Sequence, residues 1–239
     1  MPNLLDIYSE NEVRAALEHF RWKRDDRHEG WKRREGLSEA LLAALRGGRN
    51  YELLGALREI HRWGLPGRFP DSVETRIANV RSLLGRIQAR ELDVEALTAL
   101  LELDGVGIAT VSKWICFLDQ SRYAIYDSRV SVALREMRDE NNDRYLPVMP
   151  RRSSKTRTPW PADSVTPSSM ALCYFDYLAL AQDAARELKT RDSTMNTAKV
   201  EMALFMIGDI TCDDPEKWKE GRGRLQKKFN ATRRHERQE

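Results

Sequence analysis

A glycine hairpin between two apolar segments is the first feature of this sequence that could do chemistry. Gly105-Val106-Gly107 lies within the segment 97–118, where it separates two predicted helices. Glycine has no Cβ, so the backbone of such a turn can approach another molecule closely. The free amides that open the second helix attract an anion, and phosphate is the obvious candidate. The pattern therefore predicts a helix–hairpin–helix that grips phosphates without reading sequence, although an ordinary interhelical turn could carry the same glycines.

An aspartate follows this hairpin a short distance along the chain. Asp127 stands 20 residues after Gly107 and directly before a predicted helix, Ser128–Met137. A later segment, 203–212, has the pattern of a helix that ends in glycine and is followed by cysteine. Together these segments resemble the helix–hairpin–helix DNA glycosylase superfamily (HhH-GPD type). The resemblance is specific over 100–135 and looser over 198–212.

The resemblance implies a DNA-binding enzyme in which Asp127 is the catalytic carboxylate. The target base must leave the stack before a side chain can reach it. A carboxylate that faces the sugar stabilises the oxocarbenium-like charge that forms as the N-glycosidic bond breaks, and it orients or deprotonates the attacking water. Asp127 could also cap the helix that it precedes, and one residue can fill both roles. The predicted DNA-binding residues are Gly105, Val106, Gly107, Ile108, Ala109, Thr110, Lys113 and Arg129.

The sequence departs from the family at the position of the strand-cleaving nucleophile. Members with lyase activity place a lysine two residues after the second hairpin glycine, where Ala109 stands here. Alanine cannot be a nucleophile, so we expect a monofunctional hydrolase that leaves an intact abasic site. Lys113 lies one helical turn further on and could substitute, but we expect it to be a solvated or phosphate-binding lysine.

No cofactor and no metal site are expected. Many family members hold an iron–sulfur cluster through four cysteines, the first at the position of Cys212, but no cysteine follows Cys212 here. Cys116 and Cys173 lie far from it in the sequence, which favours buried apolar thiols over metal ligands or a disulfide. The one exception to this expectation is a monovalent cation, which the backbone carbonyls of 103–108 could hold.

Composition and charge narrow the class of protein. The net charge is only +3, but basic residues cluster at 21–34, 151–158 and 217–239. Such clusters suit surfaces that meet phosphates, and they are equally compatible with solvated helix faces and a loose tail. No apolar stretch approaches the ~18 residues of a membrane span, and the start of the chain lacks the pattern of a signal peptide. We therefore expect a cytoplasmic monomer that binds double-stranded DNA and no membrane.

The remaining signals predict an all-α protein with two helical lobes and a DNA-binding cleft between them. Apolar residues recur at helical spacing in most segments, with capping residues at Asp71, Asp93 and Thr166. The expected regions are an N-terminal segment (1–36) that packs with the C-terminal lobe, a lobe with the hairpin and Asp127 (37–138), an insertion loop (139–167), and a C-terminal helical lobe with a basic tail (168–239).

Several residues are candidates for the base pocket and the wedge. Aromatic side chains can stack on a flipped base or separate the duplex, although core packing is their commoner role. The aromatic candidates are Trp22, Trp31, Trp63, Tyr126 and Trp160, and Arg49 with Asn50 could form an intercalating loop tip. Two alternatives stay open: a non-catalytic helix–hairpin–helix module that only holds DNA, and a glycosylase specialised for a bulky modified base such as those in virus genomes.

Overall fold

A computed structural model describes eight stretches of the chain: 2–18, 20, 27–65, 67–89, 92–135, 137–143, 145–146 and 165–210. The predictions for Trp22, Trp160, Cys212, the basic clusters 151–158 and 217–239 and most of the insertion loop lie outside the described residues. Within the described stretches every regular element is an α-helix, which confirms that the protein is all-α.

The described part of the chain contains eleven helices. In chain order they are α1 (Leu4–Ile7), α2 (Glu10–Glu18), α3 (Arg27–Gly47), α4 (Asn50–Gly64), α5 (Asp71–Thr75), α6 (Ile77–Ala89), α7 (Val94–Leu101), α8 (Ile108–Leu118), α9 (Ser128–Leu134), α10 (Pro167–Lys189) and α11 (Thr197–Ile210). None of these helices is both long and apolar enough to cross a membrane.

Two of the three predicted capping residues, Asp93 and Thr166, cap their helices, whereas Asp71 is the first residue of α5 and the N-cap of that helix, Pro70, makes no side-chain hydrogen bond. The Asp93 side chain accepts a hydrogen bond of 2.7 Å from an amide in the first turn of α7. Thr166 and Ser169 form a reciprocal capping box at the start of α10. Asn196 accepts a hydrogen bond of 2.9 Å from an amide in the first turn of α11. Each of these bonds satisfies an amide that the helix itself leaves unpaired.

Helix α8 is the most buried element near the hairpin. All of its residues except Ala109 are buried, and it packs against α3, α4, α6, α7 and α10. A helix surrounded in this way needs apolar residues on every side, and Lys113 is its one charged residue. The hairpin therefore stands at the N-terminal end of a core helix that carries a lysine in its middle.

Helix α11 connects the region of Asp127 with both ends of the described chain. It packs against α9, α2 and α10, while α1 packs against α10. The N-terminal helices thus lie against the C-terminal ones. Helix α9, which begins directly after Asp127, is held in place mainly by α11.

Two helix boundaries differ from those that the sequence suggests. Segment 73–87 carries apolar residues at helical spacing that predict one helix, but the structure divides it at Arg76 into α5 and α6. Helix α3 runs without a break through the boundary predicted between residues 36 and 37. Its buried Arg34 and Leu41 lie seven residues apart on one face, so the helical repeat continues through a segment whose charges hide it.

The sequence predicts that the helix in segment 203–212 ends at Gly208. The structure differs, because α11 continues to Ile210. An ideal Cβ on Gly208 would lie 1.9 Å from the carbonyl oxygen of Arg129, in the first turn of α9. No side chain fits in that space. The glycine therefore permits close contact between the backbones of α11 and α9.

Replacing Gly208 with alanine should lower the free energy of unfolding by about 1–3 kcal/mol, because the added Cβ pushes two backbones apart. Urea unfolding measures this change. Gly55→Ala is the matched control: Gly55 also lies inside a helix, but its Cβ would meet nothing within 4 Å. That substitution should stabilise the protein by up to about 1 kcal/mol, and equal effects of the two changes would contradict the packing role of Gly208.

Candidate active site

The hairpin adopts a conformation that only glycine takes easily. Helix α7 ends at Leu101, and Gly105 has a left-handed backbone with φ of 72°. The amide of Val106 donates to the carbonyl of Leu103 at 3.0 Å and closes the turn. Gly107 is the N-cap of α8, and no side chain caps this helix. The first amides of α8 are therefore suited to an anion.

The predicted DNA-binding residues of the hairpin differ in exposure. Gly105 and Gly107 are exposed, and Ala109 is half-buried. The side chains of the other three hairpin residues are buried in the core: Val106, Ile108 and Thr110. This segment can thus offer DNA its backbone, but few of its side chains.

A second loop lies against the hairpin. The hydroxyl of Ser72 donates to the carbonyl of Asp104 at 2.6 Å, and Cβ of Pro70 lies 3.5 Å from the ideal Cβ position of Gly105. Arg68, in the same loop, has 84% of its side chain exposed. The segment 67–72, which includes the start of α5, therefore adds a cation beside the hairpin, and this cation pairs with Asp71 at 3.0 Å. No motif in the sequence points to Arg68, although the glycine and proline residues around it mark a loop.

Asp127 caps α9 with one carboxylate oxygen and leaves the other for a different contact. Its Oδ1 accepts hydrogen bonds from the amides of Arg129 (3.0 Å) and Val130 (3.2 Å), which confirms the capping role. Its Oδ2 lies 3.7 Å from Nζ of Lys113. The side chain is 14% exposed, so the carboxylate is neither sealed in the core nor fully solvated.

Two tyrosines of α10 fix the segment that leads to Asp127. Tyr174 donates to the carbonyl of Ala124 at 2.7 Å, and Tyr177 donates to the carbonyl of Ile125 at 2.9 Å. The ring of Tyr126 stacks on that of Tyr177 with centroids 4.7 Å apart. These buried contacts hold the backbone rigidly next to the carboxylate. Helical spacing places the two tyrosines on an apolar face but does not show which backbone groups they bind.

Lys113 is buried beside Asp127, and the expectation of a solvated lysine is wrong. Its side chain is 1% exposed, and Nζ donates to the carbonyl of Ala109 at 3.2 Å. An ideal Cβ on Gly64 would lie 2.5 Å from Cε of Lys113, so the glycine makes room for the lysine stem. The structure therefore places this amine next to the carboxylate and not on the outer surface of the hairpin.

A buried ion pair lies close enough to Lys113 to influence its charge. Nη2 of Arg34, on α3, is 2.6 Å from the carboxylate of Glu201, on α11, and both side chains are at most 2% exposed. Nε of Arg34 donates to the side chain of Gln120 at 3.2 Å, and the guanidinium lies over the rings of Trp63 and Phe117. Arg34 is therefore a core residue. The basic cluster 21–34 had suggested a surface that meets phosphates, but Arg34 is not part of such a surface.

The two pairs form one electrostatic network of two cations and two carboxylates. Burial lowers the pKa of Lys113, while Asp127 and Glu201 oppose that change. Burial is the largest single influence on the pKa of Arg34 and acts to lower it, but the attraction and hydrogen bonds of Glu201 and Cys116 together outweigh burial and the pKa is raised. Burial raises the pKa of the neighbouring thiol, Cys116, to about 12, so that this group is uncharged. Lys113 is thus the cation of the network that can lose its proton.

The other predicted contact residues lie in different surroundings. Arg129 is half-buried, with its guanidinium 4.5 Å from the centroid of the Phe205 ring. Trp63 and Tyr126 are buried in the core. Arg49 is 64% exposed and pairs with Glu52.

Trp31 does not lie beside the carboxylate. It lines a separate cavity of about 550 Å³ together with Arg14 and Lys199, and neither Asp127 nor any hairpin residue contributes to that cavity. Within the described residues, no three His, Cys, Asp or Glu side chains are grouped so that they could hold a metal ion.

An all-α fold with a glycine hairpin beside a partly exposed, helix-capping aspartate has the features expected of the DNA glycosylase class that the sequence resembles. A family model described as "Putative 8-oxoguanine DNA glycosylase OGG-like protein" matches residues 49–205. The match covers about two thirds of the chain and includes the hairpin, Lys113 and Asp127, and the chain belongs to this family. No curated protein and no solved structure matches the chain.

Proposed function

We propose that this protein is a DNA glycosylase that flips a damaged or modified base out of double-stranded DNA and cleaves its N-glycosidic bond. Asp127 is the catalytic carboxylate. The observation that carries the proposal is that the two carboxylate oxygens make different contacts: Oδ1 is fixed by two amides, while Oδ2 lies 3.7 Å from Nζ of Lys113, in a side chain that is 14% exposed. Membership of a glycosylase-like family supports the same function.

The residues around Asp127 have separate tasks in this mechanism. The amides at the start of α8 bind a backbone phosphate, and exposed Arg68 adds a second phosphate contact. The flipped nucleotide then presents its sugar to Asp127. Because the carboxylate is already oriented, it stabilises the positive charge at C1′ without reorganising as the base departs with the electrons of the C1′–N bond.

Two nucleophiles can complete the reaction at C1′. Water, deprotonated or oriented by Asp127, would leave the intact abasic site that the sequence predicts. That prediction rested on Ala109 and on a solvated Lys113, and the second premise does not hold. The amine of Lys113 is therefore a second nucleophile, 3.7 Å from the same carboxylate.

The monovalent cation at the hairpin stays a proposal. The carbonyls of Leu103 and Asp104 already accept hydrogen bonds from the Val106 amide and the Ser72 hydroxyl. Each carbonyl oxygen has a second lone pair, so a cation could share these oxygens. No step of the proposed reaction depends on it.

A panel of duplexes, each with a single modified base, tests the proposed function. The panel begins with 8-oxoguanine, which the family description names, and continues with alkylated, deaminated, mismatched and bulky modified bases. Base release is scored by strand cleavage in hot alkali, which breaks DNA at abasic sites. We expect release from at least one duplex.

The same panel separates the glycosylase from a helix–hairpin–helix module that only holds DNA. Such a module would bind every duplex with a steep dependence on salt and release no base. Binding without base release across the panel would therefore overturn the proposed function in favour of that alternative.

A further inference from the structure

The cavity that Trp31 lines has no task in the proposed reaction, because Asp127 and the hairpin do not contribute to it. Its lining residues come from α2, α3, α11 and the loop before α11, and its volume is about 550 Å³. Pockets that hold small molecules have volumes of about 300–1,000 Å³ and combine apolar walls with a few polar groups that orient the ligand. The volume of this cavity is thus that of a ligand site.

Three apolar side chains contribute to the lining. Met195 and Met202 are at most 2% exposed, and Leu17 is half-buried. Methionine side chains are flexible and polarisable, and they make favourable contacts with aromatic rings. The buried part of the lining therefore suits an apolar or aromatic group.

Trp31 adds an aromatic ring to the cavity. The side chain is half-buried, and its Nε1 donates to the carboxylate of Glu35, one turn further along α3, at 2.6 Å. This hydrogen bond fixes the orientation of the indole. A planar ring that enters the cavity can stack on it, and stacking on an aromatic side chain is a usual way to bind a nucleobase.

Two cations line the cavity, and they differ in their partners. Arg14 lies between the carboxylates of Glu10 (2.9 Å) and Asp192 (3.4 Å), which balance its charge. Lys199 forms no ion pair with any residue that the structure describes, and its Nζ lies 5.8 Å from the centroid of the Trp31 ring. An anion that enters the cavity can therefore bind Lys199 beside this ring.

The two carboxylates of the lining also differ. Oδ1 of Asp192 accepts hydrogen bonds from the hydroxyl (2.7 Å) and the amide (3.0 Å) of Thr194, while Oδ2 faces Arg14. The bonds from Thr194 are the main reason that the pKa of Asp192 is lowered, so this carboxylate stays charged and holds Arg14. Glu18 is exposed and can accept hydrogen bonds from the amino groups of a base.

We propose that this cavity binds a nucleotide, whose base stacks on Trp31 and whose phosphate pairs with Lys199. The site is separate from Asp127: Lys199 lies nine positions before Gly208, which contacts the start of α9, and nine positions correspond to about 13 Å along a helix. The inference therefore goes beyond the proposed function and does not depend on it. The nucleotide can come from two sources, a free nucleoside monophosphate or an unpaired nucleotide of a DNA strand.

Calorimetric titration with three probes tests the base and the phosphate separately. The probes are deoxyguanosine 5′-monophosphate, deoxyguanosine and inorganic phosphate. We expect the monophosphate to bind at least about 10-fold more tightly than either of the others, because it alone contacts both groups. Deoxyguanosine or phosphate alone binding as tightly as the monophosphate, or no binding of the monophosphate, would overturn the proposal.

Variants locate the binding. Lys199→Gln should weaken binding of the monophosphate at least about 10-fold and leave that of deoxyguanosine unchanged, whereas Trp31→Leu should weaken both. Lys189→Gln is the matched control, since it removes the same charge from an exposed lysine at the end of α10, outside the cavity, and it should bind as wild type does. If Trp31→Leu fails to fold, Lys199→Gln decides alone. Binding that Lys199→Gln does not change sinks the assignment.

A short, unmodified single-stranded oligonucleotide distinguishes the two sources. If it binds at least as tightly as the monophosphate and Lys199→Gln weakens both, the cavity takes a nucleotide of a DNA strand. If the monophosphate binds more tightly, the cavity takes a free nucleotide. Base release from the duplex panel is scored independently, so failure of this site leaves the glycosylase intact, and failure of the glycosylase leaves this site intact.

Discussion

Asp127→Asn is expected to yield a folded protein whose base release is slower than that of the wild type by at least about 100-fold. Asparagine caps helices about as well as aspartate, and its carbonyl oxygen can accept the same hydrogen bonds from the amides of Arg129 and Val130. The substitution removes the negative charge that faces C1′. It therefore separates the two roles of this residue.

The loss of charge beside Lys113 should not unfold the variant. Burial already lowers the pKa of this lysine, and Asp127 is the largest influence that opposes the change. Without the carboxylate the amine can release its proton, so the core does not retain an unpaired charge. We therefore expect a small change in the unfolding midpoint and a large change in rate.

Single-turnover base release and urea unfolding measure the two effects. Asp93→Asn is the matched control, because Asp93 caps α7 through the same kind of hydrogen bond but pairs with Arg86 at the surface. This control should keep both its stability and its rate of base release. Full activity of Asp127→Asn would show that the carboxylate is only a cap, and the catalytic assignment would then be abandoned.

The parts of the site that the sequence predicts are those with local signals. A left-handed turn needs glycine, so Gly105 is visible without knowing the fold, and its backbone has the expected conformation. A capping aspartate must precede its helix directly, which makes Asp127 recognisable in the same way. The all-α class follows from apolar periodicity over many segments. In each case the signal and the structure lie within a few residues of each other.

The parts that the sequence analysis missed depend on contacts between distant segments. Arg34 belongs to a run of basic residues that is typical of a surface, and only its packing between α8 and α11 shows that it is buried. Lys113 was assigned to solvent because lysine is rarely buried. Gly64, which leaves space for the side chain of Lys113, lies 49 positions earlier in the chain. Helical spacing shows on which face of its helix a residue lies, but it does not show which distant residue packs against that face.

Glu201→Gln should destabilise the protein by about 3–5 kcal/mol, the usual cost of removing one partner of a buried ion pair. Arg34 and Glu201 are both almost completely buried, and their charged atoms are 2.6 Å apart. The variant would leave a guanidinium in the core with Gln120 and Cys116 as its remaining polar contacts among the described residues. Arginine stays protonated at ordinary pH, so the buried charge cannot be neutralised.

Urea unfolding checks this expectation against two comparisons. Glu74→Gln breaks the exposed pair with Arg58 and should cost no more than about 1 kcal/mol. The double variant Arg34→Met with Glu201→Leu removes both buried charges and should recover most of the lost stability, because an apolar pair avoids the desolvation of two ions. A cost below about 1 kcal/mol for Glu201→Gln alone would contradict the buried pair.

The contrast between Glu201→Gln and Asp127→Asn follows from the chemistry of the two cations. Each substitution removes a carboxylate beside a buried cation, but Lys113 can become neutral and Arg34 cannot. Loss of Glu201 should therefore reduce stability, and it should also lower the pKa of Lys113, since Glu201 helps to keep that amine protonated. In the fraction of Glu201→Gln protein that stays folded, borohydride trapping of an adduct between Lys113 and a duplex with an abasic site should accordingly persist to lower pH than in the wild type. An unchanged pH profile would show that the ion pair stabilises the fold without influencing the amine.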